Sequence, residues 1–238
     1  VQQKESLAAM ERATILRTLT ALVEPLATVI PGDSEVVLHD LRLLPNSIVA
    51  VAGTLTGREV GGPATNLLLQ AAASGNFVSR HGYLSKHSDG RDLRSSTTIF
   101  RDSLDVPVAA LCINGDITSW RMIANLALSM IPAPTATVAS TKSPADDGEQ
   151  FVRNVDELAQ HLLTRAIRAQ GIPTDLMHKR HKLAVVHDLK KRGFFTLREA
   201  AELAAEALGV SRFTIYNYLN EIGTEPDNAA SNTEIEAR

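Results

Sequence analysis

Thr196–Ile222, TLREAAELAAEALGVSRFTIYNYLNEI, is the stretch on which the reading of this chain turns. Thr196 and Glu199 stand at capping-box spacing, which predicts that a helix begins there with the Thr hydroxyl and the Glu carboxylate satisfying backbone amides. Ala200, Ala201, Leu203, Ala204 and Ala207 continue it, and the small Ala205 lets a neighbouring helix approach closely. Gly209 closes this helix, Val210 follows as a core plug and Ser211 caps a second helix. That helix turns Ile215 and Leu219 inward. Helix, glycine turn and helix form the unit that places a recognition helix in the DNA major groove.

Arg212, Phe213 and Asn217 are the candidates for base edges, because Arg pairs with guanine, Asn with adenine and an aromatic ring with a thymine methyl. Ser211, Thr214 and Tyr216 are placed for phosphates. Upstream, Lys179, Arg180 and Lys182 and then Lys190, Lys191 and Arg192 supply cations that could neutralise flanking phosphates. The formal charge of the whole chain is −3, so any affinity for double-stranded DNA has to come from such a local basic surface. The competing reading is a small helical module that recruits protein, since Glu199, Glu202 and Glu206 keep the first helix acidic.

Outward from this motif, 238 residues are enough for a sensor-like domain and a second module. Glu5–Leu26 carries apolar residues at helical spacing, with Pro25 and Pro31 expected to limit it, and is set apart as an N-terminal helix over 1–27. Glu35–Leu41 and Ser47–Ala52 read as paired strands and Ala64–Ala73 as a helix stopped by Gly75. Phe77–His87, Arg91–Phe100 and Val106–Ile113 read as an antiparallel meander, with Ser88-Asp89-Gly90 as a hairpin turn. Asp116–Ile131 closes a domain over 28–131 as a helix. A Pro/Ala/Thr/Ser-rich linker occupies 132–150, and helices are expected over Val152–Ala169 and Asp175–Lys191 within a DNA-binding domain at 151–225. A polar, disordered tail is expected at 226–238. The fold class is α+β: an antiparallel sheet with flanking helices, then an all-α domain.

Cys112 is the only cysteine and lies in an apolar run, which fits a buried structural thiol in a reducing compartment. No apolar stretch is long enough to span a bilayer, and the expected location is the cytoplasm. Val1-Gln2-Gln3-Lys4-Glu5 has neither an initiating methionine nor a secretory-signal layout, so the start reads as trimmed. His39 and Asp40 end a strand and could bind a polar ligand, but adjacent strand residues face opposite ways, so at most one faces a pocket. Each also fits a structural hydrogen bond. His178, His181 and His187 lack a cysteine or spaced carboxylate and sit among Lys179, Arg180 and Lys182, whose charge opposes a metal. Neither a metal site nor a cofactor is expected. Gly57, Gly61 and Gly62 lack a phosphate-loop lysine, and no catalytic constellation stands out, so no enzyme is expected.

EVVLHDL at Glu35–Leu41, SIVAVA at Ser47–Ala52, TGREVGGPAT at Thr56–Thr65, LRSSTTIFRD at Leu93–Asp102 and LCINGDIT at Leu111–Thr118 occur here in order. With NVDEL at Asn154–Leu158 and LGVSRFTIYNYLNEI at Leu208–Ile222, they resemble the YheO-like transcriptional regulators over nearly the whole chain. The resemblance implies a PAS-like sheet with helices on one side, a C-terminal helix-turn-helix and regulation of transcription, with repression favoured over activation. It also implies a small-molecule effector, an amino acid or a derivative, and raises the ligand reading of His39 and Asp40, with Ser95, Ser96 and Asn114 as polar companions. A homodimer is expected because one recognition helix reads only a half-site. The alternative is a PAS-like ligand-binding or enzymatic protein whose helical tail recruits protein. The linker, longer and richer in Ala, Thr and Pro than usual, and the basic HKRHK at His178–Lys182 depart from the family pattern.

Overall fold

The structure, a computed structural model, describes residues 2–87, 89–131, 151–152 and 154–224, without the side chains of residues 2–5 and 224. The expected linker 132–150, the expected tail 226–238 and Ser88 of the expected hairpin turn lie outside these residues. The chain divides into two compact units, Val1–Leu158 and Ala159–Arg238.

The first unit is built on an antiparallel sheet of five strands, β1 (Ser34–Asp40), β2 (Ile48–Gly53), β3 (Arg80–Lys86), β4 (Asp92–Arg101) and β5 (Pro107–Asp116). Their spatial order is β2-β1-β5-β4-β3, so the meander β3–β4–β5 lies beside a β1–β2 pair. Alternation along the central strands separates two faces. On one, Val36 and Leu38 of β1 and Ala109 and Leu111 of β5 join Leu19 and Val23 of helix α1 (Gln2–Val29) in the main apolar core. On the other, Glu35, Val37 and His39 of β1 lie opposite Asn114, Cys112 and Ala110 of β5. The segment after β2 crosses that second face, where Thr56 and Arg58 bond Glu35, and leads into α2 (Asn66–Ser74). That segment covers the second face around Glu35, while α1 packs on the first. Helix α3 (Thr118–Ser129) follows β5.

Helix α1 does not stop at Pro25 but runs through it to Val29. Leu26, Ala27 and Ile30 pack against the sheet core, and their burial outweighs the backbone bond that Pro25 cannot make.

The second unit is helical, with α4 (Val155–Arg168) straddling the division between units, then α5 (Lys179–Lys191), α6 (Ala200–Leu208) and α7 (Arg212–Thr224). Leu158, Leu162 and Ala166 of α4 are buried on one face, as their spacing requires. The expected helix from Asp175 is shorter: Thr174–Leu176 forms one 3-10 turn, and α5 starts only at Lys179. Between them Met177 is buried with an extended backbone, which interrupts the helical path. Among the described residues no helix is long and apolar enough to cross a membrane.

Leu38 is completely buried at the centre of the α1–sheet core. Leu38→Ala should therefore lower the unfolding free energy by about 2–5 kcal/mol in urea titration; a change within experimental error would show that α1 does not hold the sheet through this core.

Candidate nucleic-acid interface

The expected capping box at Thr196 does not form. The Thr196 hydroxyl donates to the Gly193 carbonyl at 2.7 Å and closes a 3-10 turn over Phe194–Thr196. Glu199 takes a left-handed conformation with φ 57°, so α6 begins at Ala200. Phe194 and Leu197, on either side of Thr196, are both buried in this arrangement.

Gly209 ends α6 with φ 58° and ψ 46°, and the Val210 amide donates back to Ala205 at 3.0 Å. This left-handed cap is where glycine avoids the cost of a side chain. Ser211 then caps α7: its hydroxyl accepts from the Thr214 amide at 3.1 Å and lies 2.9 Å from the Thr214 hydroxyl. Inward, Ile215 is fully buried, Leu219 half-buried and Tyr218 buried. Tyr218 was not among the inward residues read from the sequence, although it stands three positions after Ile215 on the same face.

Arg212, Phe213, Tyr216 and Asn217 all lie exposed on the opposite face of α7, and Phe213 leaves 81% of its surface free. Asn220 shares that exposed arc, a position sequence reasoning passed over; helical spacing from Tyr216 and Asn217 was the signal that could have found it. Arg212 is held in place before any ligand arrives. Its guanidinium pairs with Glu202 of α6 at 2.6 Å, donates to the Tyr216 hydroxyl at 3.2 Å and lies 5.5 Å from the centre of that ring. The Tyr216 bond and the Glu202 charge raise its already high pKa, so it is always a cation.

Lys190 and Lys191 are exposed at the end of α5, and the Lys190 ammonium reaches within 3.9 Å of where a side chain at Gly223 of α7 would begin. Lys190 therefore stands beside the C-terminal end of α7, roughly 16 Å from Arg212 along the helix. Arg192 is committed to Asp188 at 2.7 Å, and Lys179 to Glu221 of α7 at 2.9 Å. Among the described residues no three His, Cys, Asp or Glu side chains gather around a possible metal position; the Arg180 Nε donates to His181 at 3.0 Å instead.

The residues singled out for a ligand divide between the two faces of the sheet. His39, Ser95 and Asn114 share the inner face, the one bearing Glu35, and all are buried. Asp40 turns to the α1 face, where it is ion-paired with Arg12 and accepts from the Arg42 amide at 2.9 Å. Ser96 also lies on that face and accepts from the Gly82 amide at 3.0 Å. On the inner face His39 shares a 2.9 Å bond with Ser47, and burial, aided by the Arg58 charge, lowers its pKa to about 3. Its ring is therefore neutral near pH 7. Glu35, Thr56 and Arg58, which sequence reasoning did not single out, join it there: Glu35 accepts from the Thr56 amide at 3.0 Å and from Arg58 at 2.9 Å. Arg58 also lies over the ring of Phe151 at 5.1 Å, and Phe151 packs with Leu55 and Leu93.

Residues 10–132 match the YheO-like PAS domain and residues 158–220 a helix-turn-helix domain. The chain is 30% identical over 209 residues to the transcriptional regulator DauR of Pseudomonas aeruginosa, covering 87% of this chain and 94% of that protein. It is 26% identical to the protein YheO of Escherichia coli K12, over 87% of this chain and 84% of the relative. A Haemophilus influenzae protein is 25% identical over 91% of this chain and 95% of its own length. No solved structure matches. With the antiparallel sheet, the exposed face of α7 and matches that span both units, the chain belongs to the YheO-like family, a PAS domain followed by a helix-turn-helix.

Proposed function

We propose that this protein is a non-enzymatic, sequence-specific regulator of transcription that works in the cytoplasm, more as a repressor than as an activator, with α7 as its recognition helix. The observation that carries this reading is the exposed face Arg212–Phe213–Tyr216–Asn217 on a helix whose other face is anchored by Ile215 and Tyr218. A rigid helix with bidentate donors and an aromatic ring on its free side suits a major groove. DauR is named as a transcriptional regulator, and the same general role is proposed here by that likeness. Arg212, Phe213 and Asn217 read bases; Ser211, Thr214 and Tyr216 contact phosphates near the start of α7, where the helix dipole favours anions. Lys190 and Lys191 hold the flanking backbone, while Arg192 serves chiefly to brace α5 through Asp188.

The PAS-like unit supplies the control, as a sensor of a small metabolite such as an amino acid or a derivative. An effector can act only by binding the DNA-competent and DNA-incompetent states with different affinities. Two copies then place two α7 helices one helical turn of DNA apart, about 34 Å. Helix α3 suits the pairing: Trp120, Met122, Ile123, Leu126 and Leu128 are all exposed, with Trp120 at 67%. Its nearest charge, Arg121, is engaged by Asp92 at 3.3 Å, which leaves the exposed side chains of this helix mainly apolar.

In a binding assay with selected genomic fragments, Arg212→Ala should lower specific affinity about tenfold and relax base preference at one position. Lys190→Gln or Lys191→Gln should weaken binding to all sequences and flatten the salt dependence. A wild-type protein that selects no duplex would favour protein recruitment instead. Glu202→Gln tests the resting state of Arg212, since it releases the guanidinium and removes a carboxylate facing the phosphates; DNA affinity should rise severalfold, and an unchanged value would show that the pair does not compete with DNA. Light scattering should report a dimer that Leu126→Glu converts to monomer, whereas a monomeric wild type would rule out α3 as a pairing surface.

A further inference from the structure

The inner face of the sheet holds several polar atoms that the protein itself leaves without partners. Arg58 Nη1, Asn114 Nδ2 and His39 Nε2 are each shut off from solvent and make no hydrogen bond among the described residues. Each such buried group costs about 1–3 kcal/mol when unpaired, so a cluster of them calls for an occupant. The three belong together. Asn114 lies directly opposite Glu35 in the β1–β5 register, and Glu35 carries Arg58 through a 2.9 Å ion pair. His39 is four residues along the same strand and face, roughly 13 Å from Glu35, and the Arg58 guanidinium stands on that face beside Glu35. Around them Val37, Cys112 and Ala110 are small or apolar and buried.

The charge balance selects the ligand. Glu35 neutralises Arg58, His39 is neutral near pH 7 and Asn114 carries no charge, so an added anion or cation would enter the protein interior without a counter-ion. Arg58 Nη1 and Asn114 Nδ2 are both donors and require acceptor oxygens. The His39 ring shares its Nδ1 with Ser47, and its free Nε2 can be a donor or an acceptor. An N–H beside a C=O meets either form.

We infer that the inner face around Arg58, Asn114 and His39 is a binding site for an uncharged, carbonyl-rich small molecule of the cyclic amide, imide or ureide class. This rests on the proposal that the PAS-like unit is a sensor, and it narrows the effector from amino acids at large to neutral cyclic derivatives. One carbonyl bonds Arg58 and Asn114, and an N–H/C=O edge faces His39. Because Arg58 also lies over Phe151, four residues before α4 opens at Val155, occupancy of the site bears on the chain that leads out of the sheet.

The test uses the full chain with hydantoin, uracil and glutarimide as probes, against succinate, glutarate and putrescine, read by thermal unfolding and calorimetry. At least one of the three neutral probes should raise the unfolding midpoint and bind saturably, while the charged molecules do not. Asn114→Asp, which keeps the size but turns the donor into an acceptor, should weaken that probe about tenfold or more; Asn114→Ala serves if the Asp variant does not fold. The inference is overturned if all three neutral probes fail on folded protein, if a dicarboxylate or the diamine binds in their place, or if the Asn114 variants bind the probe as well as wild type. DNA binding measured on the same samples separates the two readings: intact fragment selection with no probe bound removes the ligand site alone, and a bound probe without DNA selection removes the regulator reading alone.

Discussion

Glu35 is a carboxylate buried in the middle of a sheet, and the first unit is organised around that constraint. A charge with no access to water has to be matched by donors, and here the amide of Thr56, its hydroxyl and the Arg58 guanidinium provide them. Those donors lie on the segment that leaves β2, so satisfying Glu35 fastens this segment across the inner face. Replacing either member of a buried pair typically costs about 3–5 kcal/mol, because the other is left uncompensated. The same bond that holds the segment down uses two of the three Arg58 nitrogens and leaves the third facing inward. Stability and the polar interior are thus consequences of one ion pair.

The two faces of the sheet divide the work of the unit. The face toward α1 is mainly apolar, with the Arg12–Asp40 pair and Ser96 among its polar groups, and it supplies the burial that makes the sheet stable. The inner face is lined with Glu35, His39, Ser95, Thr97 and Asn114, a composition that a simple core would not carry. Ser95 with Ser85 at 2.7 Å, and Thr97 with Tyr83 at 3.0 Å, show how strands β3 and β4 satisfy their own hydroxyls there.

In the second unit the recognition face is present but partly occupied. Arg212 lies between Glu202 and Tyr216, so the cation best suited to a guanine is stored on the protein surface in an exposed pair. Such a pair is weak and strongly screened by salt, so it orders the side chain while DNA can still displace it at a modest cost in affinity. The acidic side of α6, which argued against nucleic acid in the bare sequence, becomes through Glu202 a holder for the leading arginine.

Local sequence determined a good deal of this protein. The strands, the helices α2 and α3, the glycine stop at Gly209, the Ser211 cap and the exposed arc of α7 follow from periodicity and turn chemistry, which act over a few neighbouring residues. What only the tertiary structure decided are the features in which distant burial overrules local preference. Pro25 sits inside α1, where Leu26 and Ala27 pack on the sheet; Thr196 closes a 3-10 turn with Phe194 and Leu197 buried on either side; and Met177 is buried where the helical path breaks. Strand alternation already separated His39 from Asp40 in the sequence, but only the register shows that Ser95 and Asn114 share the face of His39 while Ser96 lies on that of Asp40. The partnership of Glu35 with Thr56 and Arg58 was equally out of reach, since it joins residues 21 and 23 positions apart through a fold that periodicity does not encode.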